Sequence, residues 1–213
     1  MMAESAQILT LPAGEFRLQP NGDRPKRILI VDAAVACLAK QGLKKTSVEE
    51  IAASAGVSRA TLYRIFPGGR EAVLTAVVET ELARFFSRLA VAMGSAESME
   101  EVLVAGIHHG GTQLLDHPAL QTMMVTDPEI IISVINFEQL DHTIATAATF
   151  AEPFFTRWLE PNASRRAAEF AVRVMVSHLI DRDQIVDLTS EASVRTLVRG
   201  FVLPGVEALK DQE

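Results

Sequence analysis

The 213 residues are 48% apolar and 22% charged, with 12 Gly and 9 Pro, which sets aside disordered and fibrous classes and leaves room for a small head joined to a larger body. A single cysteine, Cys37, excludes an intramolecular disulfide framework and a thiolate zinc site. The net charge of -7 opposes a polyanionic partner for the chain as a whole, yet residues 24–70 hold nine Lys and Arg against Asp32, Glu49 and Glu50, or +6, while residues 71–213 balance at -11. A basic head on an acidic body confines phosphate binding to the head.

Near the start only Ile8 to Leu11 is apolar, and no uncharged run approaches the roughly 18 residues of a spanning helix. A cytoplasmic protein without membrane contact is expected. Residues 1–24 lack periodicity and contain Pro12, Gly14, Pro20, Asn21 and Gly22, so they read as a mobile arm in which Arg17 and Arg24 are available to DNA. From Pro25 the apolar residues Ile28, Val31, Ala34, Val35, Leu38 and Ala39 recur at helical steps up to Gly42. Thr46 and Ser47 stand three residues ahead of Glu49 and Glu50, giving overlapping capping boxes for a second, short helix that Gly56 ends. Ser58 caps a third, Arg59 to Phe66, broken by Pro67-Gly68-Gly69.

A long helix follows through Val73, Leu74, Val77, Leu82, Phe85, Phe86 and Leu89 to about Met93, with Gly94 as its stop. Further helices are expected near 97–116, 118–125, 128–136, 137–159, 163–181 and 190–209, with Pro153 able to divide the fourth of these and Pro204 to end or kink the last. The fold class is all-α: a three-helix head over residues 25–70, then a helical bundle over 71–213, about nine to ten helices in all.

Thr46 through Tyr63 reads as two short helices separated by a tight turn at a glycine. Val48, Ile51, Val57 and Leu62 bury the inner face and leave Ser58, Arg59, Ala60 and Thr61 pointing outward at the start of the second helix, the arrangement of a helix-turn-helix that enters a major groove. The stretch IAASAGVSRATLYRIF, Ile51 to Phe66, resembles the TetR family signature, and the resemblance covers residues 27–75. It implies that Arg59, Ala60, Thr61 and Arg64 meet base edges, with Arg59 suited to guanine O6 and N7 and Ala60 to a thymine methyl. It assigns Thr46, Ser47, Tyr63 and Arg70 to phosphates, which fix register without reading sequence. Members of the family commonly carry a lysine soon after the Phe. Here Phe66-Pro67-Gly68-Gly69-Arg70 makes the turn one residue longer and offers Arg70 in its place.

In the body, Phe85, Leu89, Leu103, Ile107, Met123, Met124, Ile131, Phe137, Phe150 and Phe154 are candidates to line an apolar cavity, with His108 as a polar contact and Gly111, beside Gly106 and Gly110, making either ligand space or close helix packing. His108, His109, His117, His142 and Asp116 do not fall at metal-ligand spacing, since adjacent His108 and His109 point about 100° apart on a helix. No metal or cofactor is expected. Ala171, Val174, Met175 and His178 on one helix, with Val194, Leu197, Val198 and Phe201 on the next, suit a four-helix homodimer interface.

The resemblance implies a ligand-responsive regulator, by default a repressor released from a palindromic double-stranded operator by a small, largely apolar effector. Two competitors stay in view: a helical adaptor whose head binds protein, and a helical enzyme, for which no nucleophile motif or phosphate loop is present.

Overall fold

The computed structural model describes residues 24–129, 137–180 and 185–211. The arm before Arg24, the helix expected over 128–136 apart from its first two residues, with Ile131 in it, and the side chain of Phe137 lie outside the described residues. Among the described residues every regular element is helical, as the periodicity predicts. The elements are α1 Arg24–Gln41, α2 Val48–Ser54, α3 Arg59–Ile65, α4 Gly69–Gly94, α5 Met99–Leu115, α6 Pro118–Thr126, α7 Phe137–Ala151, α8 Pro161–Ile180, α9 Glu191–Leu197 and α10 Leu203–Glu207. No helix among them is long and apolar enough to cross a membrane.

Two compact units form, one from the described residues of Met1–Ala83 and His117–Leu140, the other from those of Arg84–Asp116 and Asp141–Glu213. The first is larger than the head expected over residues 25–70, because α4 as far as Ala83 and all of α6 belong to it. Its core is built from Ile30, Val31, Ile51, Leu62, Phe66 and Val73, each 2% exposed or less, and α6 adds Ala119 and Met123. Burying one such aliphatic or aromatic side chain stabilises by about 1.5–3 kcal/mol, which offsets the weak intrinsic helicity of seven-residue α2 and α3.

The turn between α1 and α2 depends on α6. Gly42 ends α1 in the left-handed region at φ +80°, and its N–H donates to Leu38 C=O at 2.9 Å. Buried Asp127, just past α6, accepts from Leu43 N–H at 2.8 Å, from Lys44 N–H at 3.3 Å and from the Thr126 hydroxyl at 2.6 Å. A second bond joins the same helices, from the Thr122 hydroxyl to Ala39 C=O at 2.6 Å. Of the two capping boxes available to α2, Ser47 with Glu50 is the one formed; Thr46 is buried and its hydroxyl donates to Gly42 C=O at 2.7 Å. α6 begins at a His117 cap whose Nε2 lies 3.2 Å from Glu81, with Pro118 in the first turn where a missing N–H costs nothing.

In the second unit α5 packs against α8 and α9 over a core containing Val102, Leu103, Ile107, Phe155 and Val194. Close packing accounts for two of the glycines in α5: a Cβ on Gly110 falls 2.7 Å from Met175 Sδ, and one on Gly111 falls 2.9 Å from Leu188. Pro153 divides the stretch after residue 137, with a 3-10 turn Glu152–Phe154 following α7. Between α9 and α10 the chain makes a π turn over Val198–Val202, immediately ahead of Pro204. A proline lacks the N–H and crowds the carbonyl four residues back, and the wider turn accommodates both while the helical path continues. The exposed guanidinium of Arg199 and the half-buried one of Arg195 both hold Glu100 near the start of α5.

Two variants test the α1–α6 joint. Gly42→Ala adds a methyl that overlaps Thr126 Oγ1 and Asp127 Oδ2 in a backbone conformation hostile to alanine, whereas Gly56→Ala at φ +65° meets nothing within 4 Å. Gly56→Ala is expected to cost about 1–2 kcal/mol and Gly42→Ala clearly more, measured by urea unfolding; equal costs would remove the joint from the account.

The Asp127 carboxyl supplies the second test. Burial alone raises its pKa, but bonds from Thr126, Leu43 N–H and Lys44 N–H, with the Lys44 charge, outweigh burial and hold it below the ordinary value. A pKa lowered by folding contributes stability that is full above the unfolded value of about 4 and fades as pH falls through the folded value. Asp127→Asn is therefore expected to cost about 1–3 kcal/mol at neutral pH, and the gap to wild type to close on acidification below about 4. A gap that stays constant across that range contradicts the charged role.

Candidate nucleic-acid interface

Ser58 starts α3 in an extended conformation and its hydroxyl oxygen accepts from Thr61 N–H at 3.1 Å. One residue of the helix, Leu62, is fully buried; Arg59, Ala60, Tyr63 and Arg64 are exposed and Thr61 half-buried, its hydroxyl 2.9 Å from Ser58 Oγ. The base-edge candidates Arg59, Ala60 and Arg64 are thus all exposed on a capped helix, and Thr61 is half-buried.

Tyr63 stands against the following turn. Gly69 adopts φ +61°, and a Cβ there falls 2.8 Å from the tyrosine ring. The glycine at position 69 is thereby explained: it makes room for the ring as well as for the backbone. Arg59 lies across the same ring, its guanidinium carbon 5.5 Å from the centroid, and pairs through Nη1 with Glu49 of α2 at 2.6 Å. Tyr63 first, and then the Glu49 charge, raise the Arg59 pKa further above its already high value. From the sequence Glu49 reads as a capping-box partner of Thr46; its pairing with Arg59 was missed, and the signal was its place one residue after Val48, on the outward side of α2.

Several residues expected to meet phosphate are occupied in holding the head. Arg70 is half-buried and donates from Nε to Thr46 C=O at 2.8 Å and from Nη2 to Leu43 C=O at 2.5 Å, tying the end of the α1–α2 turn to the start of α4. Thr46 is 2% exposed. The Ser47 hydroxyl is shared with Glu50. These groups differ from the expectation for one reason: each lies beside backbone carbonyls or amides that the short turns leave unpaired, and buried polar groups are satisfied locally.

In the second unit an apolar cavity of about 40 Å³ is lined by Phe85, Leu89, Leu103 and Ile107, as expected, together with Phe86, Met93, Gly106, Phe155 and others. Phe150 and Phe154 are not among its lining residues but form an aromatic run beside it, with Phe150 4.5 Å from Phe86 and 5.6 Å from Phe154. Met123 belongs to the core of the first unit and Met124 is exposed, so neither lines the cavity; the short helix α6 packs on α1. His108 Nδ1 lies 2.9 Å from Leu188 C=O, so that nitrogen donates and the ring fastens the loop before α9, where Leu188 covers Gly111.

The helix faces expected to dimerise are largely covered within their own unit. Ala171, Val194, Leu197 and Val198 are buried in their own unit's core, Val174 and Met175 pack against it, and Ala171 and Met175 line the cavity. His178 Nδ1 turns back to Val174 C=O at 2.9 Å. Of the residues named for the interface, Phe201 is the one strongly exposed, at 77%.

Residues 30–77 match the profile described as bacterial regulatory proteins, tetR family. An uncharacterised HTH-type transcriptional regulator of Mycobacterium tuberculosis is 31% identical over 178 residues, covering 82% of each chain. The fatty acid metabolism regulator protein of Bacillus subtilis is 35% identical over 66 residues, 31% of this chain and 34% of its own. Among solved structures, the TetR family repressor AlkX from Dietzia superposes with a TM-score of 0.58 at 20% identity over 91% of this chain and 98% of that one. The fatty acid degradation regulator FadR from Bacillus halodurans gives 0.55 at 24% identity over 86% and 98%. With its helix-turn-helix and its helical second unit, this chain belongs to the TetR family of DNA-binding transcriptional regulators, which are not enzymes.

Proposed function

We propose that the protein is a ligand-responsive repressor, acting in the cytoplasm as a homodimer on a palindromic double-stranded operator. The observation that carries the DNA-reading part is the exposed surface of α3: two guanidinium groups, a small Ala60 and the Tyr63 ring, on a helix anchored by Leu62, in a segment with a charge of +6. Arg59 reads guanine, Ala60 meets a thymine methyl, Arg64 meets a base edge beside them, and Tyr63 faces the adjoining backbone. The free N–H groups at the capped starts of α2 and α3 add phosphate contacts that do not depend on Thr46 or Arg70.

The effector is small and largely apolar. The cavity walls contain no charged side chain, and Met93 and Met175 with the flanking phenylalanines give them adaptable contacts. At about 40 Å³ the cavity holds little more than water, against roughly 300–1,000 Å³ for a typical ligand site. A ligand therefore binds by displacing those side chains, and selects a conformation that differs from the one described. Binding that favours a different head separation lowers DNA affinity by mass action.

The dimer face is relocated to the outer side of α8 and the final helical run. Phe201 and Phe170, 77% and 43% exposed, project there, with Gly205 3.9 Å from the Phe170 ring when given a Cβ. Two copies paired through this face place two heads on half-sites related by two-fold symmetry.

Against an operator selected from random duplex DNA, Arg59→Ala is expected to lose discrimination at one or two base positions by about 1–3 kcal/mol, while Tyr63→Phe weakens all sequences alike. Measured by fluorescence anisotropy at fixed salt, an equal loss across every sequence for Arg59→Ala would refute its role as the reader.

A further inference from the structure

We infer that Glu49 is a positioning residue for DNA reading: it holds Arg59 so that guanidinium donors stay available for guanine, and it thereby sets the base preference of α3 without touching DNA. This rests on the DNA-reading role proposed for Arg59.

Glu49 lies in the first turn of α2 and Arg59 in the first turn of α3, two helices whose crossing is fixed by buried Ile51, Ala52 and Leu62. The carboxylate meets the guanidinium at Nη1, 2.6 Å away. A planar guanidinium carries five N–H donors in a rigid fork, so the Glu49 carboxylate on Nη1 and the hydrogen bond to Tyr63 still leave donors to meet a pair of base acceptors. Guanine O6 and N7 are such a pair. Tyr63 bounds the guanidinium from another direction, at 5.5 Å to the ring centroid. An arginine left free in water samples many rotamers, and fixing it on binding costs affinity. Glu49 and Tyr63 remove part of that cost before DNA arrives.

The pair has a second consequence. Both side chains remain more than half exposed, so the pair contributes little to stability, and a carboxylate at this surface opposes the phosphate field. Retaining an acid beside the duplex lowers affinity for every sequence while sharpening the choice at one base pair, which is specificity obtained at the expense of non-specific binding.

The test uses the full-length protein and an operator selected from random duplex DNA by the unaltered chain. Affinities are measured for that operator and for duplexes substituted at the base pair that Arg59→Ala identifies. Glu49→Ala is expected to raise affinity for non-specific duplex and to cut discrimination at that base pair by roughly tenfold. Glu49→Gln, whose amide oxygen still accepts from Nη1, should retain most of the discrimination. In an Arg59→Ala background, Glu49→Ala should change discrimination no further. Unchanged discrimination in Glu49→Ala overturns the inference, and so does an additional loss in the Arg59→Ala background, which would mean that Glu49 reads a base itself. A uniform loss over all sequences, with a lowered unfolding midpoint, assigns Glu49 to the fold and overturns it too. If the unaltered chain selects no sequence at all, the DNA-reading role fails before any Glu49 variant is made.

Discussion

A helix of seven residues cannot hold its own shape in water, because nucleation costs more than so few hydrogen bonds return. The orientation of α3 is therefore imposed from outside, by Leu62 and Phe66 in the core beneath it, by Ser58 at its start and by the Pro67-Gly68-Gly69 turn at its end. That constraint decides which side chains of α3 stay exposed. With Leu62 fixed inward, helical geometry sends Ala60, Tyr63 and Arg64 to the solvent side, while Arg59, three residues before Leu62, is exposed at the open first turn.

The same constraint explains why so much polar chemistry in the first unit is directed at its own backbone. Thr46, Arg70 and Asp127 all bond to the short turn after α1, whose amides and carbonyls have no ladder to join. The turn is thereby as well determined as the helices around it. Since α6 supplies Asp127 and the Thr122 bond, a segment remote in sequence takes part in setting the head's geometry. Electrostatics follow the same division: positive charge is concentrated on residues 24–70 and the excess of carboxylates lies beyond, so a chain that is negative as a whole is locally basic in its helix-turn-helix segment.

Local signals were the legible ones. Gly42, Ser47, Gly56, Ser58 and Gly94 mark helix ends in the sequence because capping is decided by neighbours three or four residues away, and the structure uses each at or next to the expected boundary. Family membership was legible from Ile51 to Phe66. The partner of a buried stripe was not: Ala171, Val194, Leu197 and Val198 show a helical apolar period, but the period reports that a face is covered and not whether the cover is the same chain or a second copy. Met123 was misplaced for a related reason, since nothing within α6 states that it packs on α1, more than 80 residues earlier in sequence for the Thr122 and Asp127 bonds. The role of Arg70 and the pairing of Glu49 with Arg59 depend on the crossing of helices, which spacing along the chain does not encode.

Insertion of α3 into a major groove, once from each copy, is most directly tested by dimethyl sulfate protection of the selected operator, because guanine N7 is exposed only in that groove. The account predicts protected guanines in two symmetric clusters about one helical turn apart, or a multiple of it, roughly 34–36 Å per turn, with the strongest protection in each cluster lost in Arg59→Ala. Guanines that remain fully reactive while the protein is bound, or protection confined to a single cluster, would contradict it.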